Sequence, residues 1–181
     1  MAYQDAIRRR LGVIESMGDD ATNRLTARRQ APPSPTSPTM NFADQFNPEA
    51  AGGDFSKFLH AIQGQESGGN YGAVNKSSGA LGKYQVMPAN VANWSKAAIG
   101  RAISPQEFLR SPQLQEQVSQ YQLRNYYNQF GPAGAAVAWY AGPGNAKKYV
   151  ASKGRGFTKP QGAYPSVSAY AQSILRKMGL G

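Results

Sequence analysis

Proline marks where helices can begin in this chain, and that constrains its architecture more than any other feature. Proline has a fixed φ and no amide hydrogen, so it suits the first helical position and breaks a helix interior. Pro88, Pro105 and Pro112 each open a proline-free run, and Ser104 and Ser111 stand directly before two of them. Ser104-Pro105-Gln106-Glu107 has the form of a capping box, in which the serine caps a first-turn amide and Glu107 can return to the cap backbone. Pro165-Ser166 opens a last segment, and Gly154 closes the one before it. Helices are expected at 88–98, 105–110, 112–130, 133–140, 145–153 and 166–178. An earlier helix should start at Asp54 as its N-cap, carry Phe55, Phe58, Leu59 and Ile62, and stop at Ser67-Gly68-Gly69. Residues 70–86, rich in Gly and Ser, read as loops with a small hairpin. The run Gly131 to Gly142 is small and apolar, which suits a closely packed buried helix. The expected fold is all-α over residues 54–181, large enough to bury roughly two-thirds of its unfolded-chain surface.

Before this domain, residues 2–17 read as a short amphipathic helix with Ile7, Leu11 and Ile14 on one face and Gly18 after it. It suits docking on a partner as well as packing on its own domain. Ala31-Pro-Pro-Ser-Pro-Thr-Ser-Pro forms a semi-rigid spacer, and a polar stretch continues it to Gly53. The chain thus divides into a helical anchoring segment 1–30, a Pro-rich linker 31–53 and the domain 54–181.

The composition excludes much chemistry. No cysteine is present, so there is no disulfide framework and no thiolate metal site. The lone histidine, His60, leaves no His cluster for zinc. It lies on a different helix face from Glu66 and reads as a surface or packing residue. No run of about 18 apolar residues is present to span a membrane. The N-terminus lacks the apolar centre of a secretory signal. Charge is unevenly divided: residues 1–53 carry six basic and six acidic side chains, so the whole +10 sits beyond them. Such a field attracts a polyanion or simply keeps the protein soluble, and both readings stand. The densest basic stretch, Lys147, Lys148, Lys153, Arg155 and Lys159, suits a grip on a polyanion or a solvated face equally.

Only four carboxylates lie beyond residue 53. Asp54 is read as a cap, Glu107 as part of the capping box, and Glu116 as a charge favouring the positive end of its helix. Glu66 has no such structural task. At 100° per residue from Phe55, Leu59 lies at about 40°, Ile62 at about 340° and Glu66 at about 20°. The carboxyl therefore leaves the middle of an apolar stripe at a helix C-terminus, and both circumstances raise its pKa. A carboxyl that titrates near neutrality can act as a general acid. The alternative is a side chain that frays outward into water, and position alone leaves both open.

Three segments occur in order around and after Glu66. They are Gln65-Glu66-Ser67-Gly68-Gly69-Asn70-Tyr71, Gly79-Ala80-Leu81-Gly82-Lys83-Tyr84-Gln85-Val86-Met87-Pro88 and Ala138-Trp139-Tyr140-Ala141-Gly142-Pro143-Gly144. On these the chain resembles the soluble lytic transglycosylases, the goose-type-lysozyme-like branch of the lysozyme superfamily. That family carries Glu-Ser closing a helix, then Gly-Leu-Met-Gln-x-Met-Pro, then Ala-Tyr-Asn-Ala-Gly-Pro-Gly. The resemblance covers residues 54–178 and implies a lysozyme-like helical fold. It also implies cleavage of the β-1,4 bond between N-acetylmuramic acid and N-acetylglucosamine in peptidoglycan, leaving a 1,6-anhydro-muramic end without metal or cofactor. It maps the acid/base onto Glu66 and substrate contacts onto Ser67, Gly82, Tyr84, Gln85, Trp139, Tyr140 and Ala141. A single acid suits the census, because ordinary glycosidases need two flanking carboxylates. Two departures stand out. The family's Leu-Met is Lys83-Tyr84 here, and its Tyr-Asn is Trp139-Tyr140, so the polar role falls to Tyr140 and sugar stacking or packing to Trp139.

The expected partners are peptidoglycan glycan strands and, through residues 1–30, other proteins of a bacteriophage virion. The spacer and helical N-terminus suit a tail or internal virion protein that opens the wall during genome entry, although an endolysin or a secretion-system enzyme also fits. The competing reading is a catalytically weak plug that holds glycan or DNA through its basic domain. No DNA-recognition motif or clustered basic helix supports the DNA form.

Overall fold

The computed structural model describes residues 52–160 and 165–180. The expected helix over 2–17, the segment 1–30 and the linker up to residue 51 lie outside the described residues. The described part holds α1 (Gly52–Glu66), α2 (Pro88–Ile99), α3 (Pro105–Arg110), α4 (Pro112–Ala141), α5 (Pro143–Ala151) and α6 (Val167–Lys177). Helix α4 is the axis, and every other helix packs against it.

The proline and serine signals act as read. Pro88, Pro105 and Pro112 occupy the first turns of α2 to α4, and Pro143 opens α5 two residues before the expected start at 145. Ser104, Ser111 and Ser166 accept the amides of Glu107, Leu114 and Ala169 at 3.1, 3.2 and 3.0 Å, each cap contributing about 1 kcal/mol. The two helices expected at 112–130 and 133–140 are the two arms of α4, which meet at a kink where they were expected to divide. Gly131, at φ 67 and ψ 178, breaks the ladder and Pro132 restarts it. Beyond the kink Gly134 to Ala141 are all buried, as the run of small residues requires.

The core joins α1, α4 and α6 through fully buried Phe58, Ile62, Val118, Leu123, Ala135 and Ile174, each large side chain contributing about 1.5–3 kcal/mol. Phe55 and Phe58 meet Tyr127 at ring distances of 5.3 and 5.1 Å. Among the described residues there is no strand. The expected hairpin is two isolated antiparallel bridges, Val74 with Leu81 and Leu81 with Val86. No described helix is long and apolar enough to cross a membrane.

One local expectation is corrected. Gly52 and Gly53 are already helical, so Asp54 is a first-turn residue of α1 and not its cap. The capping box forms as expected: the Glu107 carboxylate bonds the Ser104 backbone, and it also accepts Arg101 at 2.7 Å.

Candidate active site

Glu66 ends α1 and does not fray. It is 7% exposed, held by α6, which packs along α1. The Tyr170 hydroxyl on α6 donates to Glu66 Oε1 at 2.6 Å. Tyr140 of α4 stacks flat on Tyr170, centroids 4.2 Å apart and planes 7° apart, and donates its own hydroxyl to the Pro165 carbonyl at 2.9 Å. Lys177 and Ser173 of α6 donate to Gln65 Oε1 at 2.7 and 3.3 Å, fastening the end of α1 from the same face of α6 as Tyr170. Burial pushes the Glu66 carboxyl from the ordinary 4.5 up to about 7, against the hydrogen bond from Tyr170 and the charge of Lys177, both of which favour the ionised form.

The loop after α1 folds back on the residue next to the acid. Ser67 Oγ donates to the Lys83 carbonyl at 2.7 Å and accepts the Asn70 amide at 3.0 Å. Gly82 (φ 69) and Gln85 (φ 53) both take positive φ, and the Gln85 side chain donates to the Gly82 carbonyl at 3.0 Å. A Cβ at Gly82 would run into the Gln115 side-chain amide. That amide receives the Lys83 N–H at 2.9 Å and donates to the carbonyls of Tyr71 and Leu109. Trp139 Nε1 donates to the Tyr84 carbonyl at 3.3 Å, and the Trp139 ring lies 5.4 Å from that of Trp94.

Glu116 does far more than favour a helix end. Its Oε1 accepts Tyr71 OH at 2.5 Å and Lys83 Nζ at 2.6 Å; its Oε2 accepts Gln120 Nε2 at 2.7 Å and Tyr84 OH at 2.8 Å. Burial works against its charge, yet the bonds from Lys83, Tyr71, Gln120 and Tyr84 together hold the carboxyl below its ordinary range. A carboxylate offers about four lone-pair sites, and all are filled.

The structure thus gathers the expected site residues into one region, with different exposures. Ser67 is half-buried, while Gly82, Tyr84, Gln85, Trp139, Tyr140 and Ala141 are buried. Tyr84 is tied to Glu116, Tyr140 braces Tyr170, and the Ala141 carbonyl accepts Asn145 Nδ2 at 2.8 Å. His60 is exposed, with Nδ1 beside the Ser56 carbonyl. The sequence reading missed Tyr170 and Glu116. A tyrosine on a buried stripe needs a partner for its hydroxyl, and that was the one available signal for Tyr170. The other three described carboxylates are paired: Asp54 with Lys57, Glu107 with Arg101, Glu116 with Lys83.

Comparison with known proteins bears on the fold and the family. No curated protein matches the chain. Among solved structures it is similar to the 70 kDa soluble lytic transglycosylase SLT70 from Escherichia coli, at 24% identity and a TM-score of 0.55, over 68% of this chain and 21% of that one. It is also similar to an inactive mutant of the lytic transglycosylase Slt from Pseudomonas aeruginosa, at 24% identity and a TM-score of 0.48, over 69% and 22% of the two chains. The chain therefore spans about a fifth of the length of these enzymes. The match to SLT70 shares the all-α, lysozyme-like fold. The transglycosylase SLT domain matches residues 46–161, more than half the chain. With all three motifs and the buried glutamate inside or beside that span, the chain belongs to the transglycosylase SLT domain family.

Proposed function

We propose that this protein is a peptidoglycan lytic transglycosylase with Glu66 as its single acid/base. The observation that carries the reading is a buried carboxyl, raised to about 7, at the Glu-Ser position of the family. Near neutral pH a large fraction of it is protonated and able to donate. Glu66 gives its proton to the glycosidic oxygen as the bond to the muramic C1 breaks, and the substrate's N-acetyl group stabilises the cationic carbon. The Glu66 carboxylate then takes the proton of the muramic 6-hydroxyl as that oxygen bonds to C1. The anhydro ring closes, the acid is regenerated, and no water is consumed. One carboxylate suffices, consistent with the pairing of the other three in the described domain.

The Glu-Ser, Gly82-to-Gln85 and Trp139-Tyr140 segments meet around this acid, which supports glycan contacts at Ser67, Gly82 and Gln85. Trp139 and Tyr140 then act as framework. The Pro-rich spacer and amphipathic N-terminal pattern support a virion protein that opens the wall during genome entry. Digestion of purified cell walls by the parent protein and by Glu66→Gln, with mass spectrometry of the fragments, tests the proposal. The parent should release anhydro-muramic ends and the variant none. Reducing ends from the parent, or retained lysis by the variant, would overturn it.

A further inference from the structure

The polar cluster on Glu116 lies outside the reaction described above, yet it grips the loop that meets the acid. Tyr71, Lys83 and Tyr84 all come from residues 70–86, and each sends its polar head to one carboxylate on α4. Lys83 Nζ also donates to Tyr71 OH at 3.2 Å and lies 4.8 Å from the Tyr71 ring centroid. The Lys83 and Glu116 side chains are only 15% and 23% exposed, so the pair is shielded from water and salt. On the backbone side of the same residue, the Lys83 N–H is held by Gln115 and its carbonyl receives Ser67 Oγ. Lys83 therefore connects α4 to the residue that follows Glu66.

We propose that Glu116 and Lys83 form a positioning clamp, which fixes the 82–85 backbone against Ser67 and so sets where the substrate meets the Glu66 carboxyl. Neither side chain touches the reacting atoms; both act through the loop. The proposal rests on the transglycosylase reading for its kinetic consequence, while its structural consequence stands apart. Misplacement of a reacting group by about 1 Å can cost on the order of a hundredfold in rate, so a loosened clamp should lower kcat more than it raises KM.

The test uses the full chain with Glu116→Gln, Lys83→Met, Lys83→Arg and the Lys83→Met/Glu116→Gln double variant, assayed on soluble glycan oligomers. Circular dichroism melting identifies the variants that are folded at the assay temperature. Glu116→Gln and Lys83→Met should each lose about ten- to a hundredfold in kcat, with KM little changed. Lys83→Arg, which keeps the charge and the donors, should stay near the parent. The double variant should be no slower than the slower single, because both remove the same contact. Folded single variants with kcat within about twofold of the parent would overturn the clamp, as would a rise in KM alone. Amide hydrogen exchange gives a second readout that needs no activity. Exchange over residues 82–86 should quicken in Glu116→Gln, or in the milder Tyr71→Phe if the former does not fold, while α6 is unaffected. Unchanged exchange overturns the clamp even if the parent proves inactive, and an inactive parent with the expected exchange pattern refutes only the transglycosylase reading.

Discussion

Burial of an ionisable carboxyl has a thermodynamic signature that can be read without any substrate. The Glu66 carboxyl titrates at about 7 in the folded protein and at 4.5 as an ordinary side chain. Below about pH 4.5 it is protonated in both states and costs nothing. As pH rises past that point, the unfolded chain releases its proton while the folded chain still holds it, so the unfolded state gains. The loss of stability continues up to about pH 7, where the folded carboxyl also ionises, and is constant beyond. The difference of about 2.5 in pKa corresponds to roughly 3 kcal/mol, a sizeable part of the 5–15 kcal/mol that a typical domain has. Glu66→Gln keeps the shape and an acceptor for Tyr170 but has no proton to lose. Chemical denaturation of parent and variant at about pH 4, about pH 5.5 and about pH 8.5 isolates the effect, because every other titrating group cancels in the difference. The variant should gain roughly 3 kcal/mol on the parent between the acid and alkaline ends. A flat difference would mean that water reaches the carboxyl in the native state, and the case for a poised acid would fall with it.

Other expectations follow from individual contacts. Tyr170→Phe removes a donor that favours the ionised acid; at about 1.5–3 kcal/mol for such a bond, the alkaline limb of the kcat/KM profile should rise by roughly one to two pH units, and an unmoved or acid-shifted limb would contradict the geometry. Tyr140→Phe keeps the stacked ring and removes the bond to Pro165, so thermal unfolding should show a loss of about 1 kcal/mol with activity near the parent's; a collapse of activity would give the hydroxyl a direct role. Gly82→Ala forces a side chain into a positive-φ position and against Gln115, and urea unfolding should show a loss of about 2 kcal/mol or more, with activity reduced in step. A neutral result would mean that the loop is not held where it is described.

The helical framework was legible because its signals are local. Pro105, Pro112, Ser104, Ser111 and Ser166 act within one turn of their own positions, whereas the Phe55–Leu59–Ile62 stripe left Glu66 free to be buried or to fray, a choice that the packing of α6 decides. What escaped depends on residues far apart in the chain. Tyr170 shares a stripe with Val167, Ala171 and Ile174, all buried, so its pattern is that of a core residue; its partner lies 104 positions away. Glu116 was read from its helix alone, while the donors that define it come from Tyr71, Lys83 and Tyr84, between 32 and 45 positions earlier. Periodicity cannot report such convergence. Trp139 and Tyr140 were visible as a motif, yet adjacent helical residues point to different neighbours, so one meets the 70–86 loop and the other meets Tyr170.

The kink in α4 has a mechanical meaning. Gln115 and Glu116 sit on the arm before Gly131, holding the loop beside the acid, while Trp139 and Tyr140 sit on the arm after it, backing the same site from behind. Two helical arms joined at one residue thus work like a pair of calipers, and the dihedrals of that single glycine set the jaw opening. A Cβ at Gly131 would touch nothing within 4 Å, so space there is free; its φ of 67 with ψ of 178 is a combination that only glycine adopts readily. Any other residue would therefore change the span between the two jaws without disturbing a packed atom at the pivot itself.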